Sequence, residues 1–539
     1  MDSKPLNDKS LNALNAKSLL LSILSLLSVF FIVFTLQASW NNPQEQTKLD
    51  LLQTDLILQA TQVPDQSKDN QDDPVGNLLQ SLISDGNPQD SQDIYAPSLR
   101  SYQEVLRANK SALERIDQLS QSESKQSDNS QDFSKQRQKK LTSVSEISVR
   151  TGLLQVRTGD IQGAIATWAS VSELEDQSIT THGLTAQILK GLWSEPTTLF
   201  PNAESQLRNT LDGWYRQFSL AKLYEAQQRT EKILELKKQS QIEVNLAISR
   251  LVVINSIPLI GGSIGLLLWV GLFIQWIFFR KSSAFYTGSQ TDLDQNPQQI
   301  NWQVPWGLGT TWEVMILWFT AFCLTTQLFL PLGFELLGIE SRASDNFTVQ
   351  ALLVLIPYTL SVIPMLPIIQ TSLASYRPLP EGWFRFKFNS PQWLAWGIGG
   401  YFAAIPLVLI VSVISQKFLQ GQGGGNPLLP ILTQSQNVLP KFLLWSTLAI
   451  AAPFFEEYLF RGFLLPSLTK FLPVWAAIAL SGFVFAIAHL NLADIIPLTV
   501  LGMVMGFVYW RSKNLLSSML LHCLWNSGSF LALIALGGK

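Results

Sequence analysis

Histidine and cysteine are the scarce residues of this chain. Its 539 residues include three histidines, His182, His489 and His522, and two cysteines, Cys323 and Cys523. Both cysteines lie inside apolar runs, which argues against a disulfide framework and a Cys-ligated zinc module. No excess of either charge sign exists, with 38 basic against 40 acidic residues and no basic block, so nucleic acid is not an expected partner. The soluble-hydrolase, zincin and nucleotide-binding readings are set aside, because no G-x-S-x-G elbow, H-E-x-x-H helix or P-loop signature is expected.

What the chain has in quantity is apolar length. A spanning helix needs about 20 apolar residues, since the hydrocarbon core is about 30 Å thick and a helix rises about 1.5 Å per residue. Nine segments meet or approach that length: Ser18 to Ala38, Leu251 to Phe279, Trp312 to Phe334, Thr348 to Gln370, Trp393 to Ser415, Phe442 to Leu465, Val474 to Leu492, Ile495 to Trp510 and Leu515 to Leu536. The Ile495 to Trp510 segment is the shortest. The first run follows Lys4, Lys9 and Lys17, exceeds a signal-peptide core and lacks a small-x-small site before Trp40, so it reads as a retained anchor. The expected fold class is an all-α polytopic membrane helix bundle of eight or nine spans, with a helical soluble insertion after the first.

Orientation follows the Lys and Arg of the short loops. A cytoplasmic N-terminus gives twelve basic residues inside, among them Arg280, Lys281, Arg377, Arg385, Lys387, Arg511 and Lys513, against Arg342, Lys417, Lys441 and Lys539 outside. Residues 41–249 are then extracytoplasmic, in a periplasm or lumen. The chain divides into an anchor (1–40), the soluble region (41–249), membrane helices (250–437) and a C-terminal membrane domain (438–539).

Within the soluble region, Pro64 to Ser91 and Gln118 to Lys140 are dominated by Gln, Ser, Asp and Asn and read as mobile linkers. Residues 98–116, 141–172 and 204–246 carry helical apolar spacing. The stretch TGLLQVRTGDIQGAIATW, within residues 147–172, resembles one tetratricopeptide unit: Gly152 and Gly159 bracket the first helix, and Ala164 with Trp168 form the packing pair of the second. A single unit buries little by itself, so a plain helical hairpin is the simpler account. Binding of a protein partner here is the functional one.

Ionisable groups are costly in lipid, about 2.5 to 3.5 kcal/mol each, and those retained usually face a bundle interior. Here they are few. FFEEYLFRGFLLP carries Glu456, Glu457 and Arg461; FVFAIAHL carries Phe485 and His489; LLHCLWNS carries His522 and Asn526. Residues four apart share a helix face, whereas neighbours point about 100° apart. Glu457 and Arg461 therefore neutralise one another and leave Glu456 facing elsewhere. Phe485 shares a face with His489, and His522 with Asn526. A carboxylate beside an imidazole can take a proton from water, and a second imidazole with a carboxamide can donate to a tetrahedral oxyanion. That set suits amide hydrolysis.

These residues resemble the three ordered motifs of the CAAX protease and bacteriocin-processing family (CPBP, or Abi), which includes Rce1-type prenyl-protein proteases. The pattern is E-E-x-x-x-R, then F-x-x-x-H, then H-x-x-x-N or D, over about residues 440–532. The resemblance implies an intramembrane endopeptidase with Glu456 as general base, His489 holding the water, His522 and Asn526 stabilising the oxyanion, and Glu457, Arg461 and Phe485 in support. It implies a membrane-protein or prenyl-peptide substrate within membrane lipid. Family members are often described as metallopeptidases, and Glu456, His489 and His522 could supply three ligands to a Zn2+ ion. The rival reading is a non-catalytic membrane scaffold or immunity-type protein that binds partners through its soluble helices. His182, Glu313 and Glu335 read as ordinary structural positions, and Pro258, Pro357, Pro364, Pro367 and Pro406 as helix kinks.

Overall fold

A computed structural model of the chain describes residues 8–40, 46–61, 94–123, 130–174, 181–279, 302–338, 346–419, 428–435 and 437–537. Every regular element among these residues is a helix. They form two compact units, Met1–Glu45 with Val253–Lys539, and Gln46–Val252.

The larger unit is an all-α polytopic helix bundle. Among the described residues, eight helices are long and apolar enough to cross a membrane: Ala16–Trp40, Thr230–Phe278 through its apolar end, Leu308–Leu336, Phe347–Ser372, Gln392–Leu419, Val438–Leu468, Leu492–Ser512 and Leu515–Gly537. The seventh expected segment differs. Its helix, Val474–Ile487, has only 14 residues and falls short of a span. It ends because Ala488 and His489 turn and Leu490 takes a left-handed φ of 55°, a conformation no helix continues through. The Ile495 to Trp510 segment, read as the shortest, lies instead within a 21-residue span.

The core of this unit is aromatic. Trp306 stacks on Phe463 with centroids 5.8 Å apart, and its indole N–H donates to Ser467 Oγ at 3.0 Å, so the one polar atom of a fully buried ring is satisfied. The first helix leans on the third span, where Lys17 Nζ meets Glu313 at 2.8 Å and Trp312 donates to Ser25 Oγ at 2.9 Å. The short Val474–Ile487 helix crosses the Leu492–Ser512 span at bare backbone: a Cβ on Gly502 would lie 2.8 Å from the Cα of Gly482. Only glycine on both sides permits that approach, and the approach positions the Gly502 carbonyl used below.

The smaller unit is a helical array around Trp168, Tyr102, Tyr215 and Tyr224. The Ser130–Arg157 and Ile161–Leu174 helices form the expected hairpin, with Gly159 at φ +92° in its turn. Trp168 is fully buried, donates to the Val149 carbonyl at 3.1 Å and lies where a Cβ on Gly152 would be 2.3 Å from its ring. Of the two expected linkers, Pro64 to Ser91 lies outside the described residues, as do 124–129. The rest of Gln118 to Lys140 is helical rather than mobile. Gln, Lys and Arg are good helix formers. Polar bonds across the pair, Arg137 to Asp117 at 2.7 Å and Lys140 to Asn109 at 2.9 Å, replace the apolar spacing that the composition lacks.

Candidate active site

The local fold around Glu456 starts with a proline. Pro453 has no N–H, and the five residues Thr447–Ala451 before it are wound as a π turn in which the Ala452 N–H reaches back to the Thr447 carbonyl. Leu448's carbonyl is thereby deserted twice: the α partner, Ala452, is engaged elsewhere, and the π partner would be Pro453 itself. A second π stretch, Tyr458–Leu464, follows Glu457. Both carboxylates sit on the single helical segment between them, Ala452–Glu457.

Glu457 and Arg461 meet as expected, at 2.7 Å, with neither side chain exposed to any extent. Arg461 Nη2 donates to the Gly502 carbonyl at 3.0 Å and its Cζ lies 4.5 Å over the Phe485 ring. The same Oε1 of Glu457 also meets Nδ1 of His522 at 3.0 Å. Glu457 is thus more than a counter-ion: a carboxylate can only accept, so it fixes Nδ1 of His522 as the protonated nitrogen and turns Nε2 away. That Nε2 lies 3.9 Å from Oε2 of Glu456. Glu456 remains 19% exposed while His522 is 4% exposed, and the Oε2 that faces His522 is itself buried.

Phe485 is the wedge of the site. Its ring makes edge contacts with His522 at 5.8 Å and His489 at 4.8 Å, and is itself fully buried. His489 stands apart from the carboxylates: it lies in the turn after the short helix, is exposed, and directs Nδ1 to the Phe485 carbonyl at 2.9 Å. Asn526 also has a specific employment. Its Nδ2 donates at 2.7 Å to Leu448's deserted carbonyl.

Glu456, Glu457, Arg461, Phe485 and His522 therefore form one cluster, with His489 at its edge beyond Phe485 and Asn526 tied to the first π turn. Among the described residues, no three His, Cys, Asp or Glu side chains are grouped to hold a metal ion. The expected zinc set of Glu456, His489 and His522 is not gathered into a ligand shell, because the Val474–Ile487 helix ends before His489 and the Phe485 ring borders both imidazoles.

Three participants were not foreseen: Tyr358, whose phenol donates to Glu456 Oε1 at 3.2 Å, and the carbonyls of Gly502 and Leu448. A tyrosine in an apolar run carries no signal of this kind; Pro453 did signal a deserted carbonyl. The sequence also contains a G-x-S-x-G match at Gly261 to Gly265, contrary to the setting aside of serine-hydrolase patterns. It is no nucleophile elbow, since Ser263 lies within a continuous helix and donates to its own Leu259 carbonyl at 2.7 Å.

Fold and site together define a polytopic membrane protein with a paired-carboxylate, imidazole-containing centre in its last four helical segments. Residues 438–528 match the family described as type II CAAX prenyl endopeptidase Rce1-like, so this segment of the chain is similar to that family. No curated protein and no solved structure matches the chain.

Proposed function

We propose that this protein is an intramembrane endopeptidase that hydrolyses a peptide bond of a membrane-associated substrate with a water activated by Glu456. The observation that carries the reading is the facing of Glu456 Oε2 and His522 Nε2 across 3.9 Å, with no hydrogen-bond partner on that oxygen. A water bonded to both at about 2.8 Å would subtend roughly a right angle, which is acceptable for water. Glu456 takes the water's proton as the oxygen attacks the scissile carbonyl, and returns it to the departing amine. His522 is held in one orientation by Glu457, and Glu457 is held by Arg461. His522 Nε2, bare in the tautomer that Glu457 sets, accepts the water's other hydrogen and orients its oxygen for attack, and Asn526 serves the tetrahedral oxyanion through whatever capacity its bond to Leu448 leaves. His489, at the rim, contacts the water or the entering peptide.

The family match supports a prenylated or otherwise membrane-held polypeptide as the substrate, and the helical unit 46–252 recruits it or a protein partner. The basic residues of the short loops support a cytoplasmic N-terminus with residues 41–249 on the opposite side. The scaffold alternative has no specific observation in its favour, since a buried Glu457–Arg461–His522 chain serves no purpose in docking.

The test is cleavage of an internally quenched prenyl peptide and of a single-span membrane protein by the detergent-purified chain, its Glu456→Ala and its His522→Ala variants. Wild-type cleavage with both variants below about 1% is expected; equal activity in all three disposes of the site. A protease-accessible tag at residue 130 should be reached only from outside the cytoplasm.

A further inference from the structure

The two adjacent glutamates differ in what holds them. Glu457 has a guanidinium at 2.7 Å and an imidazole at 3.0 Å on one oxygen, and is sealed from the surface. Glu456 has neither at bonding distance. Among the described residues its one hydrogen bond is from the Tyr358 phenol, at 3.2 Å to Oε1. Its other oxygen, Oε2, is buried, has no hydrogen-bond partner, and faces His522 Nε2.

Tyr358 comes from the Phe347–Val362 helix, some 80 residues before the segment 438–528 that matches the family, and from a helix that packs on Val438–Ser446 and on the first π turn. Pro357 inside that helix precedes it. Resting on the proposed role of Glu456 as base, we infer that Tyr358 is a positioning residue that selects Glu456, and its Oε2 in particular, as the atom facing water. A carboxylate on a freely turning side chain offers its oxygens interchangeably and in several rotamers. A donor on Oε1 fixes the plane of the group and leaves Oε2 as the only acceptor directed into the space before His522. The donor must be neutral. A lysine or arginine in its place would bind the carboxylate as Arg461 binds Glu457 and hold its proton-accepting capacity in an ion pair, whereas a phenol donates one hydrogen bond and adds no charge. The catalytic unit therefore extends beyond the Rce1-like segment into a helix outside it.

The experiment compares wild type, Tyr358→Phe and Glu456→Gln in two readouts on the full chain in detergent. With the internally quenched prenyl peptide, Tyr358→Phe should lower kcat roughly 10-fold, the effect of one lost hydrogen bond to a charged group, with KM within about 2-fold and the thermal midpoint unchanged. Infrared difference spectra of wild type minus Glu456→Gln isolate the Glu456 carboxylate bands independently of any substrate, and these bands should move in Tyr358→Phe. Unchanged bands and unchanged kcat in Tyr358→Phe beside an inactive Glu456→Gln overturn this inference alone. A raised KM at constant kcat, or a midpoint that falls together with kcat, also overturns it, the first as a substrate contact and the second as a structural one. An active Glu456→Gln overturns the role of the base and this inference with it.

Discussion

Replacing Arg461 by leucine should damage the protein more than replacing both members of its ion pair. Glu457 and Arg461 have no exposed surface, and the arginine additionally bonds the Gly502 carbonyl and covers the Phe485 ring. Arg461→Leu leaves the Glu457 carboxylate buried with His522 and Ser518 as its remaining partners, and a broken buried pair costs about 3 to 5 kcal/mol. Glu457→Leu/Arg461→Leu removes both charges and fills the same space with apolar atoms, which is often neutral, so the double variant should recover to within about 1 to 2 kcal/mol of wild type. Activity should not recover. Without Glu457 nothing accepts from Nδ1 of His522, the imidazole can adopt either tautomer, and turnover should stay about 100-fold or more below wild type. Stability is read by titrating the detergent-purified protein with sodium dodecyl sulfate and following helicity, activity by peptide cleavage. An Arg461→Leu variant within about 1 kcal/mol of wild type, or a double variant no more stable than the single one, would refute the account of the pair.

Two further outcomes come from other parts of the chain. Asn526→Leu should cost about 1 to 3 kcal/mol by orphaning the Leu448 carbonyl, and Pro453→Ala, which restores a backbone N–H, should make the same substitution cheaper; equal cost in both backgrounds in the same titration would remove the proposed tie. In the smaller unit, burial pushes the Asp55 carboxyl up from 3.8 to about 6, against the opposing pull of Arg150 and the hydroxyls of Tyr102 and Tyr215. Between about pH 4 and 6 the folded unit then binds more protons than the unfolded chain, so Asp55's contribution is full below the lower value and is lost as pH rises through the upper, by about 2 to 3 kcal/mol. Thermal unfolding of the full chain across pH 4 to 7 should show that fall in the Gln46–Val252 transition, and Asp55→Asn should flatten it.

The membrane character of this chain was legible because burial in lipid demands length, and length is a property of consecutive residues. Eight spans were readable as runs, and Glu457 with Arg461 as a pair, because positions four apart on one helix meet whatever surrounds them. The boundary at Ile487 was not legible. His489 and Leu490 are apolar enough in context to prolong a hydropathy window, and only a left-handed turn at Leu490, set by how the chain must reach the next helix, ends the segment there. Composition likewise misread the described parts of the Gln118 to Lys140 stretch, 118–123 and 130–140, because polar residues can form helices when a neighbour supplies bonding partners.

By itself the sequence determined the residue types of the site and their helical faces: two adjacent carboxylates with one arginine in register, and Phe485 in register with His489. Which side chain touches which was decided by tertiary structure, since it depends on pairs 40 to 100 residues apart. Glu457 reaches His522 only because the last helix crosses there, Arg461 reaches Gly502 only because two glycines let backbones approach, and Glu456 is held by Tyr358 from a helix outside the matched segment. Periodicity is local and can be counted along a chain; the convergence of separate helices depends on packing, and no single segment contains it.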